Sequence, residues 1–108
     1  MSDIHEYNHI CSKLRQEAVK WEDANKRVYY AIDWYIADHV LKAKEYINRM
    51  TDYSCDMCYG ELKQAFNSLR LLGMLDMIPS DLYGEVHKFL SDEMAECIDQ
   101  KYRLMNPS

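Results

Sequence analysis

The chain is predicted to be all-α, and three observations carry that reading. Glycine and proline number only three and two, and none of them precedes Gly60, so no strong breaker interrupts the first half. Apolar residues recur three and four positions apart over most of the length, which is the period of a helix face rather than of a strand. Helix-start signals stand at Thr51, Asp52 and Ser54 and again at Ser80, each ahead of a new apolar stripe. The expected architecture is a single domain over residues 1–108. A long heptad-patterned helix, about 4–48, carries an antiparallel hairpin of two shorter helices, about 55–72 and 81–103. If the first helix folds back on itself, the alternative is a four-helix bundle.

The first helix is argued from its seam. Ile4, Tyr7, Cys11, Leu14, Ala18 and Trp21 alternate steps of three and four, and the pattern continues through Asn25, Val28, Ile32 and Tyr35. That is a heptad, with Asn25 its one clear polar member. After Ile32 the better register is Ile36, Val40, Ala43, Ile47 and Met50, a shift that resembles a stutter. A continuous helix over Ile4–Asn48 would be roughly 68 Å long at 1.5 Å per residue. A break near Glu22–Asn25 is the competing reading, although neither glycine nor proline demands it.

The stretch Val28–Leu41 is the most apolar part of the chain, and only Asp33, Asp38 and His39 interrupt it. On an ideal helix it shows two apolar sides. Val28, Ile32, Tyr35 and Ile36, flanked by Tyr29 and Val40, form the wide one. Tyr30, Trp34, Ala37 and Leu41 form a narrow one roughly opposite. A helix with two apolar sides needs cover on both, from its own chain or from a partner.

The second helix takes its stripe from Cys58, Leu62, Ala65, Phe66, Leu69 and Leu72, and Gly73 is expected to end it in a left-handed cap. Ser80 is expected to cap the third, whose expected buried face is Leu82, Val86, Phe89, Leu90, Met94, Cys97, Ile98 and Tyr102. Each helix of this hairpin is about 30 Å long and covers only half of a straight first helix. The seam from Ile4 to Trp21 is therefore expected to lie in a homodimer interface.

Composition narrows the function classes. The net charge is −5, and all of it comes from residues 51–108, which hold ten acids and five bases. No basic block invites phosphate, so direct nucleic-acid binding is not expected. The N-terminal MSDIHEYNHI lacks the pattern of a signal peptide, and Val28–Leu41 is too short and too charged to span a bilayer. Four cysteines at 11, 55, 58 and 97 match no compact secreted framework, and the expectation is a reduced, cytoplasmic protein without membrane contact.

Several features bear on chemistry. Tyr30, Trp34, Ala37 and Leu41, with charged residues at both ends, resemble an aromatic contact surface with a polar rim; the competing reading is core. Asp81, Glu85, Asp92, Glu96 and Asp99 line one edge of the third helix and suggest imitation of a phosphate backbone, against an ordinary solvated face. Cys55-Asp-Met-Cys58 is a C-x-x-C at a helix start, chemically open to metal or redox roles, but buried thiols are the plainer reading. His5 and His9 lack the further ligands of a zinc motif, and no cofactor or metal is expected. His39 projects among apolar residues and is expected to be satisfied by a hydrogen bond. No phosphate loop or nucleophile elbow is present, so an enzyme is not expected. The resulting expectation is a non-enzymatic helical module that self-associates, binds a protein partner and regulates or inhibits it. Two alternatives stand beside it: an acidic nucleic-acid mimic from a phage or mobile element that inhibits a host-defence nuclease, and a C-x-x-C metal or redox protein.

Overall fold

The computed structural model describes residues 4–106. Among them there are only helices, packed as a four-helix bundle of 54 × 22 × 19 Å. Helix α1 is Ile4–Val19 and α2 runs from Lys26 to Lys44; α3 is Asp52–Met74 and α4 is Ser80–Met105. The single long helix expected over residues 4–48 does not exist, and the two-helix hairpin packs on two helices rather than one.

Asn25 is the reason. The chain leaves α1 through tightened turns, in which Lys20, Trp21 and Glu22 donate to carbonyls three residues back. Asn25 then takes an extended backbone, φ −158° and ψ 99°, and its side-chain oxygen accepts from the amides of Arg27 and Val28. Asparagine is among the best N-cap residues because its short side chain satisfies amides that a new helix leaves open. The polar member of the heptad is thus a helix start. With α1 folded back along α2, the seam closes within one chain: Tyr7, Cys11, Leu14 and Ala18 are all buried. Trp21 is half-buried, its indole donating to Glu17 at 3.2 Å, and Ile4 is exposed.

The middle of α2, Ala31–Ala37, is a π-helix, closed at its end by the Asp38 amide bonding to Asp33 five residues back. One extra residue in the turn rotates everything beyond it. The buried positions accordingly fall every fourth residue, Val28, Ile32, Ile36 and Val40, with Ala37 and Ala43 beside them. Two expected placements are reversed by that rotation. Tyr35 lies on the surface instead of in the wide stripe, and Ala37 lies in the core instead of in the narrow one.

Helix α3 begins at a capping box, in which the Thr51 hydroxyl accepts from the Ser54 amide and the Ser54 hydroxyl accepts from the Thr51 amide. Its end differs from the expected glycine cap. Asp76 takes the left-handed conformation, φ 57°, while the Met77 amide returns to Leu72 O and the Asp76 amide to Gly73 O. Those two bonds make a Schellman motif with an aspartate in the left-handed position. Gly73 serves a different purpose, because a Cβ there would stand 2.4 Å from Cε2 of Tyr83. The missing side chain lets the first turn of α4 lie against the last turn of α3. Gly73→Ala is expected to cost about 1–3 kcal/mol through overpacking. Urea unfolding checks this, and an unchanged midpoint would show that Tyr83 yields freely. Ser80 is the first residue of α4 rather than its cap, which falls at Pro79.

The core runs the length of the bundle, from Tyr7, Leu14, Ile32 and Ile36 to Leu62, Leu69, Val86 and Leu90, all fully buried. Around it, α1 contacts α2 and meets α4 through the Tyr7–Phe89 ring pair at 4.9 Å, while α3 packs on both α2 and α4.

Candidate functional site

Three surfaces or clusters follow from this packing, and the first is the aromatic face of α2. Tyr30, Trp34 and Tyr35 are 42%, 60% and 58% exposed. The Tyr30 and Trp34 rings meet edge to face at 5.4 Å, and Tyr29 meets Tyr30 in the same way at 5.3 Å. Beside the indole lies a cleft of about 250 Å³ lined by Arg15, Asp33, Trp34 and Asp38. Arg15 holds Asp33 at 3.4 Å across the α1–α2 junction, and Lys42 holds Asp38 at 3.3 Å. Of the four residues placed on this surface from the sequence, Tyr30 and Trp34 occupy it. Leu41 is half-buried at its margin, next to a second shallow cleft that Val19 and Arg15 also line, and Ala37 is in the core.

No family profile, curated protein or solved structure matches the chain.

The second feature is the edge of α4. Its five acids do not form one open row, because four of them are engaged by the chain's own bases. Glu85 takes Lys13 at 2.6 Å and His9 at 3.1 Å, Asp92 takes Lys88 at 2.7 Å, Glu96 takes Arg49 at 3.0 Å, and Asp99 takes Arg103 at 2.7 Å. Lys13 and His9, bonding to Glu85, hold its carboxyl below the usual carboxylate range. Asp81 accepts from the Leu82 amide at the helix start. Pairing of this kind cancels much of the field that phosphate imitation needs.

The third feature is a buried polar cluster that the sequence did not disclose. Arg49 lies between α2 and α3 with a left-handed backbone, φ 49°, and its guanidinium enters the bundle. Nη2 donates to Glu93 at 2.7 Å and to the Tyr7 hydroxyl at 2.9 Å, while Nη1 donates to Glu96 at 3.0 Å. The Tyr7 hydroxyl donates to the same Glu93 oxygen at 2.7 Å. Burial, with the neighbouring Cys58 and Glu93, pushes the Tyr7 hydroxyl upward, so it stays a donor.

The thiols complete this cluster. Cys58 is fully buried, its thiol donating to Ala43 O at 3.6 Å and accepting from Arg49 Nη2 at 3.7 Å. The Cys97 thiol of α4 first, and Arg49 after it, bring the Cys58 thiol down to about 7 against the cost of burial. Cys58 and burial in turn raise Cys97. Cys55, the other half of the C-x-x-C, donates to Arg49 O at 3.7 Å. The motif's partners therefore lie elsewhere than in the motif. Among the described residues no group of three His, Cys, Asp or Glu side chains is placed to hold a metal ion, and no helix is long and apolar enough to cross a membrane. His39 accounts for its apolar setting by bonding to Glu61 at 2.7 Å.

Proposed function

We propose that this small helical domain is a non-enzymatic protein-binding module, and that Tyr30, Trp34 and Tyr35 on α2 are its contact surface. The observation that carries the reading is the exposure of these three aromatic residues, about half of each, with Tyr30 just ahead of the π-helical part of an otherwise core-forming helix and Trp34 and Tyr35 within it. Leaving large rings in water forgoes the free energy that burial would supply. Trp and Tyr are the residues most enriched at interface hot spots, and π-turns recur at functional positions. The ion pairs Arg15–Asp33 and Asp38–Lys42 beside the indole make a polar rim. The partner has an apolar pocket that takes the indole, and occupying that pocket is how the module regulates or inhibits the larger protein. Self-association through the α1 seam is not part of the proposal, since that seam is spent on the chain's own core.

The test compares Trp34→Ala with Tyr102→Ala, a control on the exposed end of α4. Trp34→Ala is expected to leave the melting curve within about 1 kcal/mol of the parent. It is expected to weaken partner binding by about 30-fold or more. Tyr102→Ala is expected to leave both unchanged. Binding through the rings is also expected to persist in high salt, where an acidic mimic would let go. Equal partner retention by the Trp34 variant would remove this surface from consideration.

A further inference from the structure

The π-turn of α2 brings two carboxylates to the same side of the Trp34 indole. In an α-helix, residues five apart point about 140° away from each other. Here the Asp38 amide bonds to Asp33 O, five residues back, and a turn of that width nearly stacks the two residues. Both carboxylates accordingly line one cleft of about 250 Å³, with Trp34 as its apolar wall and Arg15 completing the lining from α1. The cations already present hold these carboxylates loosely. Arg15 Nε lies 3.4 Å from Asp33, and Lys42 Nζ lies 3.3 Å from Asp38, whereas charge-assisted bonds of good geometry are about 2.7–2.9 Å. The Asp38 and Lys42 side chains are both about half exposed, and open i,i+4 pairs of this kind contribute little. These pairs cancel the long-range field of the cleft, so what it offers is short-range: acceptor oxygens beside an indole. That combination suits a guanidinium, which is planar, weakly hydrated, stacks on aromatic rings and bonds to a carboxylate through a fork of donors. A lysine ammonium is compact and strongly hydrated, and it gains less from the ring. Arg15 itself places a guanidinium among these residues.

We propose that the partner of this module presents an arginine side chain, which enters the cleft, displaces Lys42 from Asp38 and stacks on Trp34. The proposal rests on the reading of the α2 rings as the contact surface, and it adds the chemistry of what meets them. Asp38 is the anion that the incoming guanidinium takes, because its side chain is 47% exposed against 23% for Asp33. Arg15 stays with Asp33. The arginine stands at the rim of the partner's apolar pocket, where the indole enters.

The experiment follows the indole N–H resonances of the intact, isotope-labelled chain as acetyl-arginine amide, acetyl-lysine amide or the neutral acetyl-citrulline amide is added. Trp21, whose indole donates to Glu17, is the internal reference. At equal concentration the arginine compound is expected to shift the Trp34 resonance about threefold more than the citrulline compound. The lysine compound is expected to fall between them, and Trp21 to stay in place. Asp38→Asn is expected to reduce the arginine response to the citrulline level, and Lys42→Ala to increase it by freeing the carboxylate. Equal responses to arginine and citrulline, or an arginine response that Asp38→Asn leaves unchanged, would overturn the proposal. Either result leaves the contact surface standing as long as Trp34→Ala still loses the partner. Equal partner retention by Trp34→Ala would remove the surface and the arginine with it.

Discussion

Arg49→Ala is expected to destabilise the fold more than any other single change outside the apolar core. The Arg49 and Glu93 side chains are each only 6% exposed, so removing the guanidinium leaves a carboxylate in a medium that solvates it poorly. Breaking a buried pair from one side costs about 3–5 kcal/mol. For a domain of this size that corresponds to a fall in melting temperature of roughly 15–30 °C. Glu93 is not the only group affected, since Tyr7, Glu96 and Cys58 lose the same donor. Two further variants separate charge from backbone. Arg49→Gly is expected to be less harmful than Arg49→Ala by about 1 kcal/mol, because glycine adopts φ 49° without strain. Arg49→Met combined with Glu93→Leu is expected to recover most of the loss, as apolar replacements of buried pairs usually do. Thermal and urea melts of the four proteins check this, and a near-neutral Arg49→Ala would show that the cluster is hydrated.

Leu14→Ala is expected to cost about 3–4 kcal/mol, within the range for a fully buried leucine whose cavity collapses only partly. Its value lies in what the loss depends on. With α1 folded against α2 in the same chain, the melting temperature of parent and variant is expected to be independent of protein concentration. A seam shared between two chains would instead raise the melting temperature as concentration rises. A melt series over a hundredfold concentration range separates the two. Concentration-dependent melting of the parent, abolished by Leu14→Ala, would return Tyr7, Cys11, Leu14 and Ala18 to a subunit interface.

Helix content and most core positions were legible from spacing alone, because Val28, Ile32, Leu62, Leu69 and Leu90 sit where an amphipathic period puts them. Connectivity was not. A heptad running through Asn25 looks the same whether the asparagine is a polar seam member or an N-cap, since both uses exploit the same short polar side chain. The decisive cue is the extended backbone of Asn25, a conformational fact with no periodic signature. The π-turn was half visible: four-residue steps from Val28 to Val40 are what a widened helix requires, and in the sequence they resemble a stutter. The exposure of Tyr30 and Trp34 was legible because an apolar stripe opposite a core stripe is conspicuous. That of Tyr35 was not, because the extra residue in the turn moves it outward. Arg49 could not be found from pattern, since its role depends on Glu93 and Tyr7, which are 44 and 42 positions away. The pairing along the acidic edge was hidden for a related reason: Lys13, His9 and Arg49, which bond to Glu85 and Glu96, come from other parts of the chain.

The contact surface itself is tested most directly by oxidative footprinting, in which hydroxyl radicals label the free module and its partner complex and the rings are read by mass spectrometry. Tyr53, Tyr102 and Ile98 are exposed to a similar degree elsewhere on the bundle and serve as the reference. Selective protection of Tyr30, Trp34 and Tyr35, with the reference residues unchanged, is the expected result. Protection of Tyr53, Tyr102 and Ile98 with Trp34 still fully labelled would contradict the reading and move the binding surface to the far end of α3 and α4.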